Sequence, residues 1–298
     1  MKTALFAALG VVSVAFLAIW LAALTSRADQ PQKPDWRDLA VAFVTNFFDT
    51  LGIGCFATIT ACFKFWRMVP DELIPGTLMV GITPPSLLQA FIFIAVVEVD
   101  VTTLTLMIAS SAIGAWFGAG IVSRLPRLKI RFGMGAALLA AATLMTLSQV
   151  QLIPGGGDSL SLSGASLALA VFGNLIFGAL MTLGIGLYAP CMILISLLGM
   201  SPRAAFPIMM GSCAVLMSVG SIPFIRAERY SKKAALGLTG GGIPAVLLAA
   251  FVVKSMPLGA VRWLVVVVVI YTASMMLRAA VQERRAAMSG VRAVAAGA

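Results

Sequence analysis

The sequence predicts an all-α polytopic membrane protein built from two inverted-topology repeats, each carrying a broken or re-entrant helix hairpin. Three observations lead there. Sixty per cent of the residues are hydrophobic and the mean hydropathy is +1.03, more apolar content than a soluble core of this size uses. Several runs, Thr3–Leu24 and Val101–Val122 among them, reach the roughly 20 residues that cross a bilayer as a helix. Barrel strands would instead alternate polar and apolar residues. Finally, the pentapeptide Thr-Leu-Gly-Ile-Gly occurs at Thr50–Gly54 and again, 132 residues on, at Thr182–Gly186. The offset continues without a gap, pairing Ala57 with Ala189, Met68 with Met200, Pro70 with Pro202, Pro75 with Pro207 and Ser86 with Ser218.

Taken in order, full spans are expected at about 3–24, 74–97, 101–122, 132–152, 203–225, 234–253 and 261–281. That makes about seven spans plus two hairpins, the latter at about 38–63 and 165–199, where the repeated motif lies. As one straight helix the second stretch would measure ~50 Å against ~30 Å of hydrocarbon. Gly184, Gly186 and Pro190 supply a break, because glycine tolerates unusual dihedrals and proline removes a helical hydrogen bond. The chain reads as a single transmembrane domain over 1–298, with repeat 1 at about 1–126, repeat 2 at about 130–281 and a cytoplasmic tail at 282–298.

Charge sets the expected topology. Arg124, Arg127, Lys129 and Arg131 fill one loop, and Arg226, Arg229, Lys232 and Lys233 another. Cytoplasmic loops collect Lys and Arg, so an even number of crossings separates the two. The spans at 132–152 and 203–225 make two, and 165–199 must therefore return to the side it entered. Making 38–63 re-entrant as well puts the basic loops Arg27–Arg37 and Lys64–Arg67 inside. Three full spans then separate the units, which inverts one copy relative to the other. The loops at Val97–Val101 and Pro154–Gly164 carry no Lys or Arg, as external loops should. Met1-Lys2, an apolar run and Ser26-Arg27-Ala28 also resemble a cleavable signal peptide. The run exceeds the roughly 7–15 residues of such a core, so a retained helix is the expectation.

Composition also removes several classes. The net charge of +10 rests on 21 basic residues in short loops, not on a basic stripe for nucleic acid. Cys55, Cys62, Cys191 and Cys213 lie in apolar segments without zinc-finger spacing. The chain has no histidine, which removes the usual general base and the commonest metal ligand. No enzyme, no cofactor and no metal are expected. Duplicated units with glycine-interrupted hydrophobic runs are the build of secondary transporters, whose substrates sit near the midplane where broken helices meet.

The segment Asn46-Phe-Phe-Asp-Thr-Leu-Gly-Ile-Gly54 resembles the glycine-rich first hairpin of the TauE/SafE sulfite-exporter family, within the sulfonate-uptake-permease superfamily. Pro70-Asp-Glu-Leu-Ile-Pro-Gly-Thr77 is similar to the family's following Pro and Gly-Thr turn, and Gly114–Pro126 to its Gly-rich helix ending in Arg-Leu-Pro. The second half repeats the plan at Thr182–Gly186 and Ser201-Pro-Arg-Ala-Ala205. The resemblance runs from about 38 to 280. Cys55 and Leu187 follow Gly-Ile-Gly where the family usually has more glycine. The resemblance implies a multi-pass permease or exporter in the plasma (inner) membrane. Its substrate would be a small sulfur-containing anion such as sulfite or an organosulfonate, moved by alternating access. Two alternatives stand beside it: a transporter of another small organic anion, and a membrane assembly or sensor subunit that moves nothing. The partners expected are the sulfur oxyanion or sulfonate and the lipid bilayer, with no nucleic acid; a homodimer is left open.

An oxyanion inside a membrane needs donors, and broken helices expose backbone N–H groups at the positive end of a helix dipole. Gly52, Gly54, Gly184 and Gly186 would admit a substrate to such groups, and Thr50, Thr77, Thr182 and Ser212 would add hydroxyls. Small residues serve close helix packing equally well. Asn46 and Gln89 are amides at membrane depth, each a donor to an anion or a bond to a neighbouring helix. Cys55 follows the first glycine motif as a weak donor, and Tyr188, aligned by the repeat with Phe56, is a candidate wall of the site. Asp49 is the candidate for proton coupling, because a carboxylate in an apolar hairpin marks an ion path or a paired charge.

Overall fold

The computed structural model describes residues 2–25, 33–122, 157–181 and 187–257, with parts of 259–282 and a few positions between 136 and 150. Nine helices of ten or more residues are bounded among them: α1 Lys2–Thr25, α2 Trp36–Thr50, α3 Phe56–Phe65, α4 Ile74–Val96, α5 Val101–Val122, α6 Gly164–Met181, α7 Tyr188–Leu197, α8 Ala205–Arg226 and α9 Lys232–Ser255. No strand occurs among the described residues. Five segments are long and apolar enough to cross a membrane: α1, α4, α6, Pro202–Arg226 and α9. The fold is that of an all-helical membrane protein. The span read at 132–152 falls largely outside the described residues, whereas every described residue of 261–281 is helical.

From α3 to α5 the first half matches α7 to α9 of the second. Shifted by 132 residues, α3 lands on α7 end for end, and α4 and α5 land within two residues of α8 and α9. The ends of the short helices match bond for bond. After α3, Trp66 N–H donates to Cys62 O at 3.0 Å and Met68 N–H to Phe63 O at 2.9 Å. After α7, Leu198 N–H donates to Leu194 O at 3.0 Å and Met200 N–H to Ile195 O at 3.1 Å. Both caps need a left-handed residue. It is Gly199 at φ 87° in one copy and Arg67 at φ 51° in the other.

Contacts between helices fix their directions. α4 and α8 run antiparallel: Gly76 lies against Phe224 and Arg229, while Phe93 stacks on Phe206 at 5.3 Å. They cross near Ser86 and Ser218, the pair equated by the offset, with the Ser86 hydroxyl 3.6 Å from Met217 Sδ. α9 runs parallel to α4, since Ser231 N–H donates to Thr77 Oγ1 at 2.9 Å and Thr239 Oγ1 to Gly81 O at 2.9 Å. α2 is parallel to α9, with Asp38 against Gly237, and Leu39 O and Ala42 against Gly241. α6 is likewise parallel to α5, since Leu162 N–H, just ahead of α6, donates to Thr103 Oγ1 at 3.2 Å and Asn174 Nδ2 donates to Met107 O at 2.6 Å. A Cβ at Gly114 would fall 1.9 Å from Leu175 O, and one at Gly178 would fall 2.1 Å from Ser111 O. Only glycine allows backbones that close, which is how helices gain packing contact in lipid, where apolar burial offers no drive.

α2 and α4 share one direction, so α3 between them must run back. It does: Trp36 and Arg37 at the start of α2 and Cys62 and Trp66 at the end of α3 line one cleft of about 380 Å³. In the second half α6 has 18 residues and α7 only 10. The first of these ends at Met181 and the second begins at Tyr188, on either side of Gly184 and Gly186, the glycines expected to supply the break, and α6 alone has the length of a crossing. α7 returns to the level at which α6 began, where Ser201 N–H donates to Ser159 O at 2.8 Å. One end of the bundle gathers Arg37, Lys64, Arg67, Arg226, Arg229, Lys232 and Lys233, with ion pairs Lys64–Asp71 and Lys233–Asp35. The opposite end carries Glu98, Asp100, Asp158, Arg203 and Lys254, with Asp100 N–H donating to Leu160 O at 2.9 Å.

Candidate functional site

The first helix break is built by two glycines. After Thr50 the chain turns through Gly52 at φ 98° and Gly54 at φ 80°, a region that costs L-residues strain and glycine little. Gly52 N–H donates to Asp49 O at 2.8 Å and Ile53 N–H to Phe48 O at 3.1 Å, so α2 closes tightly before α3 begins. A Cβ at Gly52 would fall 2.0 Å from Met192 Cε on α7, with Met209 of α8 near by. The tip of the first hairpin therefore rests on the second.

Asp49 occupies the inner side of that break and is 4% exposed. Its Oδ1 accepts from Cys55 N–H at 2.9 Å and its Oδ2 from Gln89 Nε2 at 3.0 Å. Gln89, on α4 one turn beyond the α4–α8 crossing, also donates to Thr50 Oγ1 at 2.9 Å. Its Oε1 accepts from the Tyr188 hydroxyl at 3.3 Å. The Thr50 hydroxyl donates in turn to Asn46 O at 2.8 Å. The Cys55 thiol and the Tyr188 hydroxyl face the carboxylate, and Cys213 of α8 lies beside both. Gln89 is thus a joint, holding Asp49 and Thr50 of the first break to Tyr188 at the start of α7. A buried carboxylate without such donors would be far more expensive at this depth.

Asp49, Thr50, Cys55, Gln89 and Tyr188 are brought together as one buried cluster, with Gly52 and Gly54 making the turn between Thr50 and Cys55. Thr182, Gly184 and Gly186 lie outside the described residues. Three candidates are placed elsewhere. Thr77 sits at the basic end, donating to Leu73 O at 2.8 Å and accepting from Ser231 N–H, a joint between α4 and α9. Asn46 turns its amide back to Ala42 O at 2.9 Å beside Gly242 of α9. Its Oδ1, though buried, has no hydrogen-bond partner. Ser212 accepts from Asn174 Nδ2 at 3.2 Å, and the same amide donates to Met107 O at 2.6 Å. That amide joins α5, α6 and α8. Sequence reasoning passed over Asn174, although it carried the same signal as Asn46 and Gln89, an amide in an apolar helix. Cys213 had no such signal.

The described residues contain no group of three or more His, Cys, Asp or Glu able to hold a metal ion. Chemically, the cluster offers one carboxylate, one amide, two hydroxyls and two thiols, enclosed away from both ends of the bundle. Comparison with family models, curated proteins and solved structures gave no match in any of the three.

Proposed function

We propose that the chain is a secondary transporter whose two halves are inverted repeats, and that it moves a small sulfur-containing anion across the plasma membrane by alternating access. One observation carries the reading: the tip of one broken hairpin and the start of α7 meet at a buried polar cluster beside the crossing of two antiparallel, repeat-related helices. That is where transporters built from inverted repeats hold substrate. The opposed directions of α4 and α8, together with the parallel pairs α2–α9 and α5–α6, support the inversion. The return of α3 and of α7 supports two re-entrant hairpins. The basic end faces the cytoplasm by the positive-inside rule.

The anion follows from the resemblance at Asn46–Gly54, and the cluster holds donors suited to it, the Cys55 N–H, the Gln89 amide and the Tyr188 hydroxyl, each engaged within the cluster in this structure. With the cell interior negative, each exported negative charge gains about 2.3 kcal/mol per 100 mV. Export of an anion needs no coupling ion, and Asp49 makes proton coupling available for uptake.

Thermal stabilisation of the purified protein tests the reading, using sulfite, thiosulfate, sulfoacetate, taurine, sulfate, acetate and phosphate. Binding to the folded state raises the melting temperature as ln(1 + [L]/Kd). A shift with a sulfur anion that weakens in Tyr188→Phe supports the reading. A shift with acetate or phosphate alone would replace the substrate, and no shift in folded protein would favour a subunit that moves nothing.

A further inference from the structure

The donors that hold Asp49 are the ones a bound oxyanion would need, an inference that rests on the transporter reading above. A carboxylate presents two oxygens on one atom with a shared negative charge. Here one oxygen is taken by a backbone N–H at the helix break and the other by a side-chain amide from α4, at 2.9 and 3.0 Å. A sulfonate or sulfite presents the same pattern. The second half does not repeat the set: the positions equivalent to Asp49, Cys55 and Gln89 hold Met181, Leu187 and Ser221. The titratable groups facing Asp49 are Cys55 on the break, Tyr188 on α7 and Cys213 on α8. None of them brings a positive charge, and two anions side by side in a buried site repel strongly.

We propose that Asp49 is a built-in competitor for the substrate. The anion takes over Cys55 N–H and Gln89 Nε2 only when the Asp49 carboxylate accepts a proton and releases them. One proton from solvent bonds to a carboxylate oxygen as each anion binds. No bond within the anion breaks, and both leave when the carboxylate reclaims its donors. Anion and proton then travel in the same direction and a monoanion crosses without net charge, which is the coupling that uptake into a negative interior requires.

The experiment uses the purified full-length chain and methanesulfonate, which keeps its charge from about pH 5 to 8, where only the protein titrates. In the wild type, affinity falls about tenfold per pH unit on the alkaline side, and a weakly buffered solution with an indicator dye loses about one proton per anion bound. Asp49→Asn binds methanesulfonate with the same affinity at every pH and takes up no proton. Dimethyl sulfone, of similar shape without charge, causes no uptake in either protein. The wild-type proton count decides the matter even if Asp49→Asn does not fold. Binding by the wild type with constant affinity and no proton uptake would overturn the competition and leave the transporter reading standing. No binding of methanesulfonate, sulfite or sulfoacetate at any pH, in folded protein, would overturn both.

Discussion

Replacing Gln89 with leucine keeps the volume of the side chain close to native and removes the hydrogen bonds through which the amide joins the first helix break to α7. Three contacts go: the amide to Asp49 Oδ2 at 3.0 Å, the amide to Thr50 Oγ1 at 2.9 Å and the Tyr188 hydroxyl to Oε1 at 3.3 Å. A hydrogen bond to a charged group contributes about 1.5–3 kcal/mol and a neutral one about 0.5–1.5. The long Tyr188 contact belongs at the low end, so Gln89→Leu should cost about 3–4 kcal/mol. Equilibrium unfolding in mixed detergent–SDS micelles, followed by tryptophan fluorescence, measures it. The stronger test is the cycle with Asp49→Asn. Once the charge is gone, the same Gln89→Leu change should cost about 1–2 kcal/mol less, because the lost bond is then a neutral one. Additive losses, within about 0.3 kcal/mol, would refute the claim that the pair is coupled through a charge-assisted bond.

Close backbone packing gives the second prediction. Gly178→Ala puts a Cβ 2.1 Å from the Ser111 carbonyl oxygen and must spread α5 from α6, at a cost of about 2 kcal/mol or more. Gly10→Ala in α1 meets nothing within 4 Å and should gain up to about 1 kcal/mol from helix propensity; parallel melts of the two variants check both signs. The antiparallel crossing of α4 and α8 predicts that Phe93→Cys with Phe206→Cys, in a background without native cysteines, forms a disulfide on mild oxidation. Phe93→Cys with Phe224→Cys should form none, and the reverse outcome would place the helices parallel. Orientation is read by impermeant thiol labelling in intact cells. Glu98→Cys should label from outside, whereas Arg229→Cys should label only after the membrane is opened.

Much of the fold was legible because the repeat is ungapped. An offset of 132 residues carries α3 onto α7 and both caps onto each other, even where Arg67 replaces the glycine a left-handed cap favours. Apolar run length gave α1, α4, α5, α8 and α9 to within a few residues, since a bilayer fixes how much hydrophobic helix is needed. Run length alone could not locate the break after α6; Gly184 and Gly186 were the signal for it, whereas Pro190, read as part of the break, sits in the first turn of α7, where a proline loses no helical bond. The cluster was half legible. Asp49 and Gln89 stand out as polar groups in apolar helices, yet they are 40 residues apart and nothing local says that they bond. Thr77 and Asn46 carried the same signal, yet Thr77 joins α4 to α9 at the basic end and the Asn46 amide turns back to Ala42 O within α2. Polarity at depth marks a residue that must find a partner; which partner it finds depends on how α2, α4, α7 and α9 pack.

Flux through the purified protein tests the central claim most directly. Proteoliposomes loaded with sulfite or methanesulfonate, and diluted into medium carrying a trace of the labelled anion, report exchange across the bilayer. A transporter with one central site gives saturable counterflow that unlabelled sulfite inhibits and Tyr188→Phe slows. Vesicles that hold folded protein and exchange no sulfur anion faster than empty ones would contradict it.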